Sequence, residues 1–359
     1  MNRVSGNQIF WMIATMEIGM TILLTITPSV TEAKQSAWIS ALVAGGFGIF
    51  VAFLGTKLSL LYPRQTLIEY SQTILGKWLG KVIVIPYLIM WFINCGIILR
   101  QSAEIIVEYI LPGTPLSVVI LSLGLAIVFA TLSGIEVIGR LSEMLGPVIL
   151  VMILIALFLS FNNMKWENLL PVYPEGGLMS ILKGAIGPAG FLGEVMMVTM
   201  FVSFMSKPTQ APSKTILAVG IASLFISVSM LFVLAILGPN VAGRMWYPFF
   251  TMVQMISIAD FLTNVDAIVI VIWVGSVFIK LCLYFFIASF GSAQWLNVPK
   301  WTRMVWFVFP VATGLSLLPR NIVEASILVP EKLGAYDPAS TVRRCTNRHE
   351  PNQDKGSGG

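Results

Sequence analysis

Long stretches of apolar residues follow one another along most of the chain, separated by short polar segments. Nine of these stretches are each about 20 residues long, which as helix is enough to cross about 30 Å of hydrocarbon. They cover residues 9–26, 37–61, 78–99, 116–132, 144–161, 178–204, 216–237, 267–290 and 305–318. The stretches are continuously apolar, not alternating as in an outer-membrane β-barrel. The pattern therefore predicts an all-α polytopic membrane protein.

Breaker residues refine these boundaries. Prolines lie near the edges of most stretches, where helices end. The third stretch has no breaker before Pro112, so its helix can continue to residue 110. The segment 248–262 is rich in Phe and Met and ends near Asp260, which indicates a short helix outside the membrane.

The composition agrees with a chain that lies mostly in lipid. Of the 359 residues, 57% are hydrophobic and 11% are charged, whereas a soluble chain carries about 25% charged residues. The net charge of +5 comes from Lys and Arg in short loops, so nucleic acid is not an expected partner and the lipid bilayer is.

Loop charge predicts the orientation. With the N-terminus in the cytoplasm, nine basic residues fall inside and six outside, the sign expected in an inner membrane. The inside residues are Arg3, Arg64, Lys77, Lys81, Arg140, Lys207, Lys214, Lys300 and Arg303, and the outside ones are Lys34, Arg100, Lys165, Lys183, Arg244 and Arg320. A cleaved signal peptide at residues 9–26 is the less favoured alternative, because this stretch is long and contains Glu17.

Residue types that carry catalysis or bind metals are scarce. The only histidine, His349, and one cysteine, Cys345, lie in the polar C-terminal segment. No Ser/His/Asp set can be assembled within the membrane, and the sequence contains no phosphate-binding Gly-rich loop ending in Lys-Ser/Thr. We therefore expect no catalytic residues, no metal and no cofactor.

The C-terminal segment departs from the rest of the chain. Residues 330–359 are polar, contain Arg343, Arg344 and Arg348, and end in Gly-Ser-Gly-Gly. This composition predicts a disordered tail after a transmembrane, transporter-like domain at residues 1–329. Nine spans would place the basic tail outside, against the charge rule, so we expect that a tenth span has been lost or replaced.

Two spans contain residues that weaken a helix near mid-membrane. The first span carries Thr-Met-Glu-Ile-Gly-Met-Thr at residues 15–21, and the sixth carries Gly-Pro-Ala-Gly-Phe-Leu-Gly-Glu at residues 187–194. Matched interruptions in corresponding helices of two halves point to an inverted-repeat transporter. Glycines also permit close packing of membrane helices, which is the alternative explanation.

Three ionisable residues lie deep inside the predicted spans, far from the membrane surfaces. Counted at 1.5 Å per residue, Glu17, Glu194 and Lys280 all fall near the midplane. Buried charges are costly in hydrocarbon, so a pair of Glu194 with Lys280, or a cluster with Glu17, is expected. Such a pair can serve ligand binding or be purely structural.

Several segments resemble known membrane proteins. Glu-Ile-Gly-Met-Thr-Ile-Leu at residues 17–23 resembles the first-helix motif of amino acid/polyamine/organocation transporters. Gly-Phe-Leu-Gly-Glu at 190–194, followed by Met-Ser-Lys-Pro at 205–208, resembles the sixth helix of the B subunit of GerA-type spore germinant receptors. Trp-Val at 273–274 with Val-Phe-Ile-Lys at 277–280 is similar to the eighth helix of that family. The likeness extends over about residues 4–318.

The resemblance implies a LeuT-like fold of two inverted five-helix repeats, here with the tenth helix missing or replaced after Asn321. It also implies a nutrient-sensing subunit in the inner membrane of a spore, working with an A subunit and a lipoprotein C subunit. The alternatives are a secondary amino acid transporter coupled to a proton or cation, and an assembly subunit that has lost ligand binding.

The nutrient implied is a small amino-acid-like molecule, bound between spans one, three, six and eight. We expect its carboxylate at backbone N–H groups freed at residues 19–21, its ammonium at carbonyls near 187–190, and a charged group close by. The candidate ligand-binding residues are Glu17, Gly19, Met20, Thr21, Asn94, Gly187, Gly190, Gly193, Glu194, Ser276 and Lys280.

Overall fold

The computed structural model describes residues 3–171, 176–255 and 266–318, and these ranges are almost entirely helical. The α-helices are α1 Gly6–Leu24, α2 Ile26–Ala33, α3 Ala37–Leu61, α4 Leu67–Leu75, α5 Lys77–Tyr109, α6 Leu116–Leu132, α7 Ile135–Ser160, α8 Gly177–Gly193, α9 Val198–Phe201, α10 Ala211–Leu237, α11 Pro239–Ala242, α12 Pro248–Gln254, α13 Asp266–Leu296 and α14 Thr302–Leu317. Short 3₁₀ segments join several of them, including Glu194–Met197 and Val202–Phe204.

The helices occupy the positions of the predicted spans. Within the described ranges, seven helical segments are long and apolar enough to cross a membrane, and two shorter apolar helices, α6 and α14, take the places of the fourth and ninth spans. In lipid, a continuous helix satisfies every backbone polar group internally, which is why long apolar stretches fold this way. The prediction of a polytopic all-α membrane protein is confirmed.

Local sequence sets where some helices begin. At α1, the Ser5 hydroxyl accepts a hydrogen bond from the Gln8 amide at 3.1 Å, and the Gln8 side chain accepts one from the Ser5 amide at 2.9 Å. Thr66 and Glu69 form the same reciprocal capping box at α4. Capping boxes satisfy backbone N–H groups that an isolated helix end leaves free.

The packing of the spans has the symmetry of an inverted repeat. Span one is α1 with α2, span six is α8 with residues 194–204, and spans two, three, four, five, seven, eight and nine are α3, α5, α6, α7, α10, α13 and α14. Span one packs against span seven, and span six packs against span two. In the same way, span three packs against span nine, and span eight packs against span four. When each span of the first five is replaced by its counterpart five places later, and the reverse, each contact becomes the other contact of its pair. This is the symmetry of the two five-helix repeats that the sequence predicted.

Two helices form the centre of the bundle. In α1 and in Val269–Leu296 of α13, 72% of the residues in the most apolar window are buried, against 33–56% in the other five long spans. These two helices pack against each other. Polar side chains in the middle of α1 and α13, such as Thr15, Glu17, Ser276 and Lys280, are therefore withdrawn from both lipid and water.

The N-terminal segment is hydrogen-bonded to the C-terminal end of span six. The Val4 amide donates to the Phe204 carbonyl at 2.9 Å, and the Ser206 amide donates to the Val4 carbonyl at 3.0 Å. The Lys214 ammonium also donates to the Asn7 side chain at 2.7 Å. The ends of spans one, six and seven are thus held together at this surface.

The predicted break in span one is wrong in position. α1 is α-helical through residues 19–21, and the helix is interrupted only at Thr25, before α2. One glycine costs a helix only about 1 kcal/mol, which packing on neighbouring helices readily offsets.

The predicted break in span six is also displaced. α8 runs through residues 187–193 with Pro188 inside it, and the change to 3₁₀ geometry begins at Glu194. Proline is tolerated inside a membrane helix where neighbouring groups compensate for its lost N–H bond. The irregular segment therefore starts at the charged residue, after the glycines.

Some predictions fall outside the described residues. The tail at 330–359 and the fate of a tenth helix after Asn321 both lie there, as does much of the segment 248–262, of which only α12 is described as helix.

Candidate functional site

The predicted ion pair joins spans six and eight. The Lys280 ammonium lies 2.8 Å from a carboxylate oxygen of Glu194, and its side chain has 0% exposure against 17% for Glu194. The ammonium also lies 4.8 Å from the centre of the Phe191 ring, a second favourable contact for a cation.

Glu17 of span one lies beside this pair. Its side chain is fully buried, and neither carboxyl oxygen has a hydrogen-bond partner among the described residues. Lys280 and Glu194 are both near enough to act on it electrostatically. The structure thus brings the three sequence-predicted ionisable residues into one layer, which carries two carboxyl groups and one ammonium.

Tyr284 extends the layer to span three, and the sequence analysis missed it. Its hydroxyl accepts a hydrogen bond from the Asn94 side-chain amide at 3.1 Å and lies within hydrogen-bonding reach of Glu194. A signal existed in the sequence: Ser276, Lys280 and Tyr284 recur at four-residue spacing, which places them on one face of an otherwise apolar helix.

Ser276 joins α13 directly to the backbone of α1. Its hydroxyl donates to the Thr15 carbonyl and accepts a hydrogen bond from the Gly19 amide at 3.1 Å. These are the two backbone groups that an α-helix pairs with each other, so the hydroxyl bridges a helical hydrogen bond. A Cβ at position 19 would lie closer to Ser276 than the 3.0 Å that real contacts keep, so the glycine here permits close helix approach.

This Ser276 bridge between α13 and α1 bears on the expectation that span one offers free N–H groups to a nutrient. The Gly19 amide already has a partner, the Thr21 hydroxyl bonds the Glu17 carbonyl, and Met20 is buried in the core. The N–H groups that were expected to bind a nutrient carboxylate are therefore engaged in this structure. The space beside Gly19 is filled by Ser276.

The three candidate ligand-binding glycines of α8 lie in different surroundings. Gly193 borders a small cavity with Glu194 and Tyr284, whereas a Cβ at Gly187 would only touch Pro28. Gly190 is exposed, and a Cβ there would have no neighbour within 4 Å. Of the three, Gly193 is the one that belongs to the charged layer.

The cavity beside the pair is nearly closed. It holds about 30 Å³, which is roughly the share of one water molecule in the liquid, and Tyr87, Met90, Trp91, Met196 and Met197 contribute to its walls. A small amino acid is several times larger. The structure therefore represents a state in which α5, span six and α13 are packed together around the charges.

Tyr284→Phe should test whether the polar network stabilises the bundle. The change removes the acceptor of Asn94 and a hydrogen-bonding group near Glu194, so we expect a loss of about 1 kcal/mol of unfolding free energy, measured by denaturation in detergent. Tyr62→Phe is the control, because the half-buried Tyr62 has no hydrogen bond from its hydroxyl to another described residue. Equal effects in both variants would show that the network contributes nothing.

Comparison with known proteins places the chain among spore germination proteins. A family model described as spore germination protein matches residues 3–325. Spore germination protein YndE of Bacillus subtilis is 30% identical over 313 residues, which is 85% of each chain. Spore germination protein KB of the same organism is 23% identical over 329 residues, 89% of this chain and 85% of the relative.

Solved structures with a similar fold are transporters. Mhp1, a nucleobase-cation-symport-1 family transporter in a closed conformation, superposes with a TM-score of 0.69 at 13% identity, covering 91% of this chain and 75% of that one. A Na⁺-coupled sialic acid symporter gives 0.59 at 12% identity, covering 93% and 75%. The predicted LeuT-like fold is confirmed.

Proposed function

The chain belongs to the spore germination protein family, and we propose that it is the nutrient-sensing membrane subunit of a germination receptor. The observation that carries the proposal is the charged layer of Glu17, Glu194 and Lys280 in a bundle with a transporter fold. Such a layer is costly to bury, and at the centre of a transporter fold it is the natural place to recognise a charged ligand.

The ligand that fits this layer is a small zwitterionic amino acid. Lys280 can meet its carboxylate, while Glu194 or Glu17 can meet its ammonium. Asn94 and Tyr284 supply neutral hydrogen-bonding groups beside them, and Gly193 leaves room for a side chain. Because the cavity is nearly closed, nutrient binding requires these helices to separate, and that movement is the signal a receptor needs.

The second candidate function is secondary transport of an amino acid with a proton or cation. It is favoured by the similarity to two symporters, which concerns the fold alone. Receptor and transporter use the same site and the same opening movement. They differ in whether the ligand is released on the far side of the membrane.

The proposed setting is the inner membrane of the spore, with the N-terminus in the cytoplasm and with A and C subunits as partners. The distribution of basic residues in the loops supports the orientation. The bias is clearer when Arg100 is left out of the count of outside loop charges. Arg100 lies inside α5, is 8% exposed and pairs with Glu104 at 2.5 Å, so it is no loop charge. Nine basic residues inside then stand against five outside.

Binding and uptake measurements separate the alternatives. The purified protein with its partner subunits, in lipid nanodiscs, should bind radiolabelled small amino acids, and proteoliposomes should not accumulate them. Accumulation would identify a transporter. Neither binding nor accumulation, tested over the full set of amino acids, would identify an assembly subunit and refute the proposal.

Gly193→Leu should abolish the nutrient response while leaving membrane insertion intact. A Cβ at Gly193 would lie 3.5 Å from the Phe47 ring, and Gly193 itself lines the cavity, where a larger side chain would compete with a ligand. We expect binding to weaken by at least about tenfold, since overpacking costs about 1–3 kcal/mol.

Gly46→Leu is the matched control for this variant. Gly46 is exposed on α3, and a Cβ there meets nothing within 4 Å. If Gly193→Leu inserts normally and binds as tightly as the control, the ligand site lies elsewhere.

A further inference from the structure

The charged layer has an unequal number of opposite charges. Glu194 pairs with Lys280 at 2.8 Å, which uses the one ammonium group of the layer. Glu17 remains, fully buried and with neither oxygen hydrogen-bonded to a described residue. We propose that Glu17 is a proton-binding site and holds a proton in this closed state.

Among the described residues packed around Glu17, Lys280 is the basic group that acts on it. α1 packs against α2, α7, α8, α10, α12, α13 and the segment Glu194–Met197. Of their ionisable groups, Lys280 and Glu194 act on Glu17, and Tyr284 interacts with both carboxyl groups. The other described charged residues on these elements are Glu32, Glu136, Arg140, Glu143, Lys183 and Lys214; Arg140 pairs with Glu136, and Lys214 bonds Asn7. The remaining described ionisable group is the buried thiol of Cys282 on α13.

An ionised Glu17 would be a buried carboxylate without a hydrogen bond to any described residue. Groups in that position neutralise by taking up a proton, because the low dielectric strongly disfavours the charged form. Lys280 cannot serve both carboxylates fully, since its ammonium already contacts Glu194 and lies over the Phe191 ring. Protonation of Glu17 leaves the layer electrically neutral.

A metal cation fits the surroundings of Glu17 less well than a proton. Hard cations require several oxygen ligands, and the Ser276 hydroxyl on the facing helix already donates to the Thr15 carbonyl and accepts from the Gly19 amide. Among the described residues, no group of three or more acidic, His or Cys side chains could hold a metal. A proton needs only the carboxyl group itself.

The consequence is a proton linked to closure of the bundle. Separation of α1 from α13 would bring water to Glu17. The carboxyl group would then release its proton and become a carboxylate. The closed state binds the proton, and the opened state releases it. This inference concerns the charge balance of the layer and goes beyond nutrient recognition.

Glu17→Gln and Glu104→Gln, made in the full chain, test the proposal. A glutamine has nearly the shape of a protonated glutamate, so Glu17→Gln should leave the melting temperature within about 2 °C of the wild type. Glu104→Gln removes the charged partner of Arg100, which is 2.5 Å away, and should lower it by about 5 °C.

In infrared spectra, Glu17→Gln should be the variant that differs from the wild type, and Glu104→Gln should not. The wild type should show the carbonyl band of a protonated carboxyl group, Glu17→Gln should lose it, and Glu104→Gln should keep it. A melting temperature that falls in Glu17→Gln as far as in Glu104→Gln, or a spectrum unchanged by Glu17→Gln, would overturn the proposal. So would stabilisation of the wild type, but not of Glu17→Gln, by Na⁺ or K⁺. None of these measurements involves a nutrient, so they stand apart from the test of receptor function.

Discussion

Glu194→Ala should destabilise the protein by about 3–5 kcal/mol, because it leaves the fully buried Lys280 ammonium without its partner at 2.8 Å. Breaking a buried pair costs more than the pair itself contributes, since the remaining charge keeps its full desolvation penalty. The effect should appear as a loss of folded protein in the membrane fraction and as a lower melting temperature in detergent.

The double variant Glu194→Gln with Lys280→Met should be milder than Glu194→Ala alone. It removes both charges while keeping most of the side-chain volume, and uncharged replacements of a buried pair are often close to neutral for stability. Glu32→Ala, at an exposed carboxylate, controls for the loss of an acidic residue. Equal losses in the single and double variants would show that the two charges do not stabilise each other.

The same variants separate a structural pair from a functional one. A pair that only stabilises the bundle predicts that the double variant folds and still responds to nutrient. A pair that recognises a zwitterion predicts a folded double variant with no response, since both charged groups are gone. The folded but unresponsive outcome is the one expected under the proposed function.

Gly19→Ala should be the most disruptive single-methyl change in the central bundle. The new Cβ would overlap both the Cβ and the hydroxyl of Ser276, closer than 3.0 Å, and the Ser276 Cβ is not a flexible end that can move aside. Either α1 or α13 must shift, and the hydroxyl bridge between Thr15 and Gly19 would be lost. We expect a cost of about 3 kcal/mol, from overpacking together with the lost hydrogen bonds.

A second substitution, at Ser276, tests whether the overlap with Ser276 causes the destabilisation of Gly19→Ala. Ser276→Gly in the Gly19→Ala background removes the overlapping atoms, so the double variant should melt closer to the wild type than Gly19→Ala does. Gly190→Ala is the control, because its Cβ would have no neighbour within 4 Å. If Gly19→Ala melts like Gly190→Ala, the close approach of α1 and α13 is not present in the membrane.

The Ser276 bridge and the charged layer lie on the same two helices, α1 and α13, so a movement at one affects the other. Ser276 and Lys280 are one turn apart on α13, and Gly19 and Glu17 are two residues apart on α1. A movement that separates α1 from α13 at the charged layer must also strain or release the Ser276 bridge. Variants of Gly19 and Ser276 should therefore alter nutrient sensitivity even where they preserve the fold.

The sequence by itself determined the spans and the depth of the charges. Apolar stretches near 20 residues can fold only as helices in lipid, so nine positions followed from local hydropathy. Depth follows from the constant rise of a helix, so Glu17, Glu194 and Lys280 could be placed in one layer before any contact was known. The segments resembling germinant receptors pointed to the family that the comparisons show.

The tertiary structure decided which polar groups meet and where the helices change geometry. Gly19 was expected to loosen α1, yet it brings α1 against Ser276, because a missing side chain permits close packing as readily as unwinding. Tyr284 joined the layer through Asn94, a contact between residues 190 positions apart. Glycines and hydroxyls have no fixed role in a membrane helix, since the neighbouring helix determines whether each one packs, bonds or faces a cavity.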